Sequence, residues 1–248
     1  MADIIGLRPG RTLLVAAHQL LPAPLHDAAA ATLGSSAYLF GGGQLERGST
    51  DILRIASSGA VRPAGRLPQP AADVGAAALN GVAYVVGGYT GSRALDTIVA
   101  WQPGRPARVV AHLPAPLRYP AVVAAGARII IVGGTTPTAA STQDVLSFDP
   151  ATGQVQLIGR LSRPLTHAAA AVLGGTVYVL GGRGNGVASQ RRLVLALDPR
   201  TGRSSNAGVL PRRVSDAGAV ALPDRILLIG GRDNGGVVRS DVLSVQVR

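Results

Sequence analysis

The stretch Ala37-Tyr38-Leu39-Phe40-Gly41-Gly42 decides how this chain folds, because it returns four more times. The other copies are AYVVGG at 83–88, IIIVGG at 129–134, VYVLGG at 177–182 and ILLIGG at 226–231. Their doublets begin at Gly41, Gly87, Gly133, Gly181 and Gly230, so they stand 46, 46, 48 and 49 residues apart. A second mark keeps step 20 residues ahead of each doublet: LPAP from Leu21, LPQP from Leu67, LPAP from Leu113, LSRP from Leu161 and LPRR from Leu210. Two marks locked in one register signal a repeat architecture, in which no copy buries its apolar faces alone.

Each repeat reads as four short strands separated by turn-forming residues. The first is small and apolar, as at 28–33 and 168–173, and the second is the apolar run into the doublet. A longer loop leads to a third strand, at 51–55, 96–101, 144–148, 193–197 and 241–247. A more polar fourth follows at 60–66, 108–112, 155–160 and 204–209. Small first strands suit a crowded centre, and polar fourth strands suit an outer edge in water. The expected fold is therefore all-β: a five-bladed β-propeller of four-stranded antiparallel blades. One domain is expected over 1–248, with blade cores near 22–66, 68–112, 114–160, 162–209, and 211–248 plus 11–19. The last repeat lacks a fourth strand, and segment 11–19 (RTLLVAAHQ) has the character to supply it and close the ring. Segment 3–7 also reads as a third strand, and its role stays open.

Composition limits the chemistry. Hydrophobic residues make up 47% of the chain, enough for a core, yet aromatics only 3%. No Cys is present, which removes disulfides, thiolate metal ligation and cysteine nucleophiles. The net charge is +11 and every basic side chain is Arg, which favours acidic partners. The Arg residues are spread over all repeats, and bases would find few aromatic rings to stack on, so nucleic acid is disfavoured. The opening residues lack the basic start and apolar core of a leader. No apolar run reaches the roughly 18 residues of a membrane span. Location stays open: cytoplasmic if this is the complete chain, extracytoplasmic if a leader or anchor has been removed. A monomer is expected.

These repeats resemble the kelch family over nearly the whole chain. The resemblance rests on the apolar run with its doublet, on DVLSFDPATGQ at 144–154 and on LALDPRTGR at 195–203. Phe148 and Trp101 fall near the family's Tyr position, and Val155 stands where a Trp is expected. The family usually has six or seven blades, so five is a departure. The resemblance implies binding of a protein or ligand through loops on one face, with enzymes a minority. A copper radical oxidase of this type is excluded, since its cofactor needs a Cys.

In an up-and-down blade the loop into the first strand and the loop after the second emerge on one face, and loops on a rigid scaffold carry function. Six residues after each Leu of the second mark stand Asp27, Asp73, Tyr119, His167 and Asp216. One residue earlier stand His26, Ala72, Arg118, Thr166 and Ser215. Asp27, Asp73, Tyr119, His167, Asp216, His26 and Arg118 are the candidate ligand-binding residues at the mouth of a central channel. The alternative is structural, with each Asp capping a turn through backbone N–H groups. Tyr89, Arg93, Thr135, Arg183, Arg192 and Arg232 are the candidate rim, where Arg forks suit carboxylate or phosphate. No metal site, cofactor or catalytic residue is assigned. The expected partner is a protein or an acidic ligand at the loop face. The competing readings are a channel-mouth enzyme for a sugar-like or other hydroxylated molecule, and a designed or reconstructed propeller without native function.

Overall fold

The computed structural model describes residues 3–8, 14–44 and 47–246. The chain divides into two compact units, Met1–Val110 and Ala111–Arg248. In the first, β1 (Asp3–Arg8) and β2 (Leu14–Leu20) form an antiparallel hairpin. Blade one follows with β3 (Ala29–Leu33), β4 (Ser36–Phe40), β7 (Asp51–Ile55) and β8 (Val61–Arg66). A small ribbon of β5 (Gly43–Gln44) and β6 (Arg47–Gly48) interrupts it. Blade two is β9 (Gly75–Leu79), β10 (Val82–Val86), β11 (Thr97–Trp101) and β12 (Arg108–His112).

The second unit carries blade three, β13 (Ala121–Ala125), β14 (Arg128–Val132), β15 (Asp144–Asp149) and β16 (Gln154–Arg160). Blade four is β17 (Thr166–Leu173), β18 (Thr176–Arg183), β19 (Arg191–Leu197) and β20 (Ser204–Val214). Blade five is a three-stranded sheet among the described residues: β21 (Gly218–Ala221), β22 (Ile226–Ile229) and β23 (Val242–Val245). Within each blade sequential strands pair antiparallel. Among the described residues the regular elements are all strands, and their order is that of a five-bladed β-propeller. The expectation for 11–19 is met only in part. Its described portion is a strand, β2, but the ladder partner of β2 is β1, the segment 3–7 whose role was open. A hairpin between chain neighbours closes a short loop at little entropic cost. His18 Nε2 and Asp3 Oδ1 also meet at 2.8 Å across it.

The cores lie between blades, as the repeat argument requires. In the first unit Phe40, Ile52 and Leu67 of blade one pack with Val85, Val99 and Trp101 of blade two. The indole of Trp101 meets the Tyr38 and Phe40 rings edge-on, at centroid distances of 4.9 and 5.7 Å. In the second unit Ile130, Val132 and Val145 of blade three pack on Val177, Val179 and Leu197 of blade four. Leu180 and Val194 then pack on Ile226 and Leu228 of blade five.

The two sequence marks prove to be two halves of one joint. The N–H of Gly42 donates to the carbonyl of Ala71, and that of Gly134 to Leu165, at 2.8 and 2.9 Å. Each acceptor lies in the proline-containing strap that enters the following blade. The first glycine of four doublets turns back, its N–H donating to the start of the third strand, as Gly41 does to Asp51 and Gly133 to Asp144. Gly133 has φ 63°, and a Cβ there would land on the Leu165 carbonyl. The doublet thus combines a left-handed turn with backbone-to-backbone approach, and only glycine meets both demands.

Candidate functional site

The five column positions share one backbone conformation. Asp27, Asp73, Tyr119, His167 and Asp216 all adopt positive φ, between 52° and 59°. Left-handed backbone costs a non-glycine residue about 1–3 kcal/mol, and Asp tolerates it better than Tyr. Part of the cost is met by hydrogen bonds from blade to blade. Asp73 N–H donates to the Asp27 carbonyl at 2.8 Å, His167 to Tyr119 at 3.3 Å and Asp216 to His167 at 3.0 Å.

The residue before each column position pairs with the residue after each doublet. These pairs are His26 with Gly43, Ala72 with Tyr89, Arg118 with Thr135, Thr166 with Arg183 and Ser215 with Arg232. Five of the six rim candidates therefore stand beside or near the column: Tyr89, Thr135, Arg183 and Arg232 through these bridges. Arg93 closes the same loop as Tyr89, bonding Gln69 Oε1 at 3.0 Å. Arg192 does not join them. Its Nε donates to the Leu210 carbonyl of β20 at 2.6 Å, which turns it toward the outer strand of blade four.

In the first unit, His26 Nδ1 lies 2.9 Å from Asp27 Oδ2, and the imidazole rests over Gly43, where a side chain would collide with it. Asp73 is buried. Among the described residues no group of three or more His, Cys, Asp or Glu is placed to hold a metal ion.

The second unit builds the most complete arrangement. The imidazole of His167, only 9% exposed, stacks on the Tyr119 ring at 3.7 Å with 22° between planes. The Arg118 guanidinium stands 5.4 Å from the centre of the same Tyr119 ring. Arg183 Nη2 lies 3.2 Å from His167 Nε2, and Thr166 Oγ1 lies 2.9 Å from Nδ1. A guanidinium can only donate, so Nε2 must accept and the proton sits on Nδ1, which donates to Thr166. Thr166 passes its own hydrogen to Thr135 Oγ1 at 2.8 Å. On the other side the Asp216 carboxylate approaches Nε2 at 3.8 Å while accepting from Ser215 Oγ at 2.6 Å. Burial, and then the positive charges of Arg183 and Arg118, lower the His167 pKa to about 3. The imidazole is therefore neutral at pH 7, held as an acceptor and a flat surface.

The sequence columns contained most of this cluster. Thr166 and Ser215 stood in them, yet their roles, fixing a tautomer and orienting a carboxylate, depend on distances. Apolar residues occupy the loop tips of the same blades. Val187, on the loop that follows Arg183, is 80% exposed, and Val237 and Val238, on the loop that follows Arg232, are 53% and 55% exposed.

Residues 70–104 match the kelch motif. No curated protein matches the chain. A solved structure described as that of YjhT superposes with a TM-score of 0.87 at 16% identity, over 100% of this chain and 89% of the other. At that identity the likeness speaks for the fold.

Proposed function

We propose that this kelch-repeat propeller is a non-catalytic recognition module. Its loop face would bind a carboxylate-bearing segment of a protein partner, centred on Tyr119, His167 and Arg183. The observation that carries this reading is the buried, neutral imidazole stacked on the Tyr119 ring and bonded by the Arg183 guanidinium, with the Arg118 guanidinium over that same Tyr ring. A base with a pKa near 3 accepts protons poorly at pH 7, and in its neutral form it is a weak proton donor, so the cluster suits binding better than acid–base catalysis. Arg118 and Arg183 supply forks for a carboxylate, and the stacked rings supply an apolar floor. The exposed Val187, Val237 and Val238 favour a protein over a small molecule, because apolar tips around a charged centre gain only from a broad partner.

The test is titration of an oligoglutamate peptide into the protein at fixed ionic strength. Binding to the wild type, weakened about tenfold or more by Arg183→Ala and by Tyr119→Ala, is expected. Absence of binding, or binding by both variants as tight as by the wild type, would set the reading aside.

A further inference from the structure

Blades three and four enclose a second basic feature, lined by other side chains than the loop-face cluster. A groove of about 980 Å³ opens between the end of β16 and the outer strands β19 and β20. Arg160, Arg163, Arg191, Arg192, Arg203 and Arg213 all line it, and among the described residues no Asp or Glu does. Elsewhere in the second unit several Arg residues sit on carboxylates, among them Arg128 on Asp149 at 3.4 Å, Arg225 on Asp224 at 3.0 Å, and Arg239 on Asp233. In the groove, among the described residues, only Arg160 does so, with Asp144 at 2.9 Å. Arg192 and Arg213 are held by backbone carbonyls, those of Leu210 and Gln190. These bonds fix the direction of the guanidiniums without cancelling their charge. Arg191 is partly withdrawn from water, and that burial together with the neighbouring Arg163 lowers its pKa.

Like charges gathered in one concavity repel, and the repulsion is strongest where walls of protein exclude water. Bringing in a multiply charged anion relieves it. The geometry points to this groove as a binding site for a compact oligophosphate-type anion, distinct from the carboxylate cluster on the loop face. The cations come from three chain segments, 160–163, 191–192 and 203–213, so they surround a volume instead of tracking a line. That volume is of the order of a small-ligand site, roughly 300–1,000 Å³. Ser162, Ser204 and Ser205 add hydroxyl donors on its walls, suited to phosphate oxygens between the Arg forks. No aromatic residue lines the groove among the described residues, so nucleobases find no stacking platform there.

The test is calorimetric titration with inorganic tripolyphosphate, at ionic strength held constant with sodium chloride. Arg163 and Arg203 are exposed and bear none of the core, so the double variant Arg163→Ala/Arg203→Ala keeps its fold. Saturable binding to the wild type is expected, weakened about tenfold or more in that variant. Arg105→Ala, in an exposed turn of blade two, should bind as the wild type does. No saturable binding overturns the assignment. So does equal weakening by Arg105→Ala, which would mean general charge attraction only, or full retention in the double variant. An oligoglutamate peptide that binds this groove more tightly than tripolyphosphate would overturn it in favour of peptide docking.

Discussion

His167 shows how a single residue takes its chemistry from its surroundings. An exposed imidazole titrates near 6.5, but here burial and two guanidiniums bring it to about 3. Between those values the unfolded chain binds a proton that the folded chain refuses. Folding stability therefore rises with pH across that window, is complete above about 7, and is lost progressively as pH falls toward 3. The loss should amount to a few kcal/mol by the acid end. Denaturant unfolding from pH 7 to 4 should show this slope, and His167→Gln should flatten it. A second expectation concerns Arg183. Removing its charge in Arg183→Ala should raise the His167 pKa, read directly from the imidazole resonances by NMR. An unchanged pKa would mean that Arg183 does not bear on the ring.

The sequence made His167 visible as one member of a column, because it stands six residues after a repeated Leu. It did not show that the column adopts left-handed backbone. Asp27, Asp73 and Asp216 are compatible with positive φ, but nothing in Tyr119 or His167 announces it. Nor could it show the stacking of Tyr119 on His167, which joins residues 48 positions apart in adjacent blades.

At the scale of the element, the doublet and the strap explain each other. Gly134 N–H reaches Leu165 of the following blade, so the two marks cannot drift apart without breaking a backbone bond. This is why strand order and number were legible from spacing alone. The joint also makes a graded prediction. Gly126 and Gly133 have similar positive φ, 58° and 63°, but no atom would meet a Cβ at Gly126, whereas one at Gly133 meets the Leu165 carbonyl. Gly126→Ala should cost about 1 kcal/mol for backbone strain alone, and Gly133→Ala distinctly more, about 3 kcal/mol. Chemical denaturation of the two variants measures the difference, and equal costs would contradict the joint.

Two features escaped the pattern for physical reasons. The pairing of β2 with β1 depends on which of two plausible edges the strand meets, and alternation of side chains is the same for either. Arg192 was placed with the rim because it follows a loop. Its neighbour relations belong to a strand, where successive side chains face opposite ways, and its guanidinium runs to Leu210.

For the whole molecule, a net charge of +11 spread over every repeat sets a field that attracts anions without choosing among them. Selection has to come from local geometry, and the second unit offers two contrasting forms of it. The loop-face cluster mixes Arg118 and Arg183 with aromatic rings and one carboxylate, and the outer groove gathers guanidiniums and hydroxyls with no aromatic ring among its described lining. Peptide binding at the first should weaken with added salt only moderately, because ring contacts are not screened, whereas oligophosphate binding should fall steeply. Far-UV circular dichroism should show strand without helix. No helix of the structure is long and apolar enough to cross a membrane.

The most direct measurement is an NMR map of backbone and imidazole shifts on titration with oligoglutamate. The account predicts saturable changes concentrated at Arg118, Tyr119, Thr166, His167 and Arg183, with His167 staying neutral throughout. Saturating shifts confined to other surfaces, with those five residues silent, would contradict it.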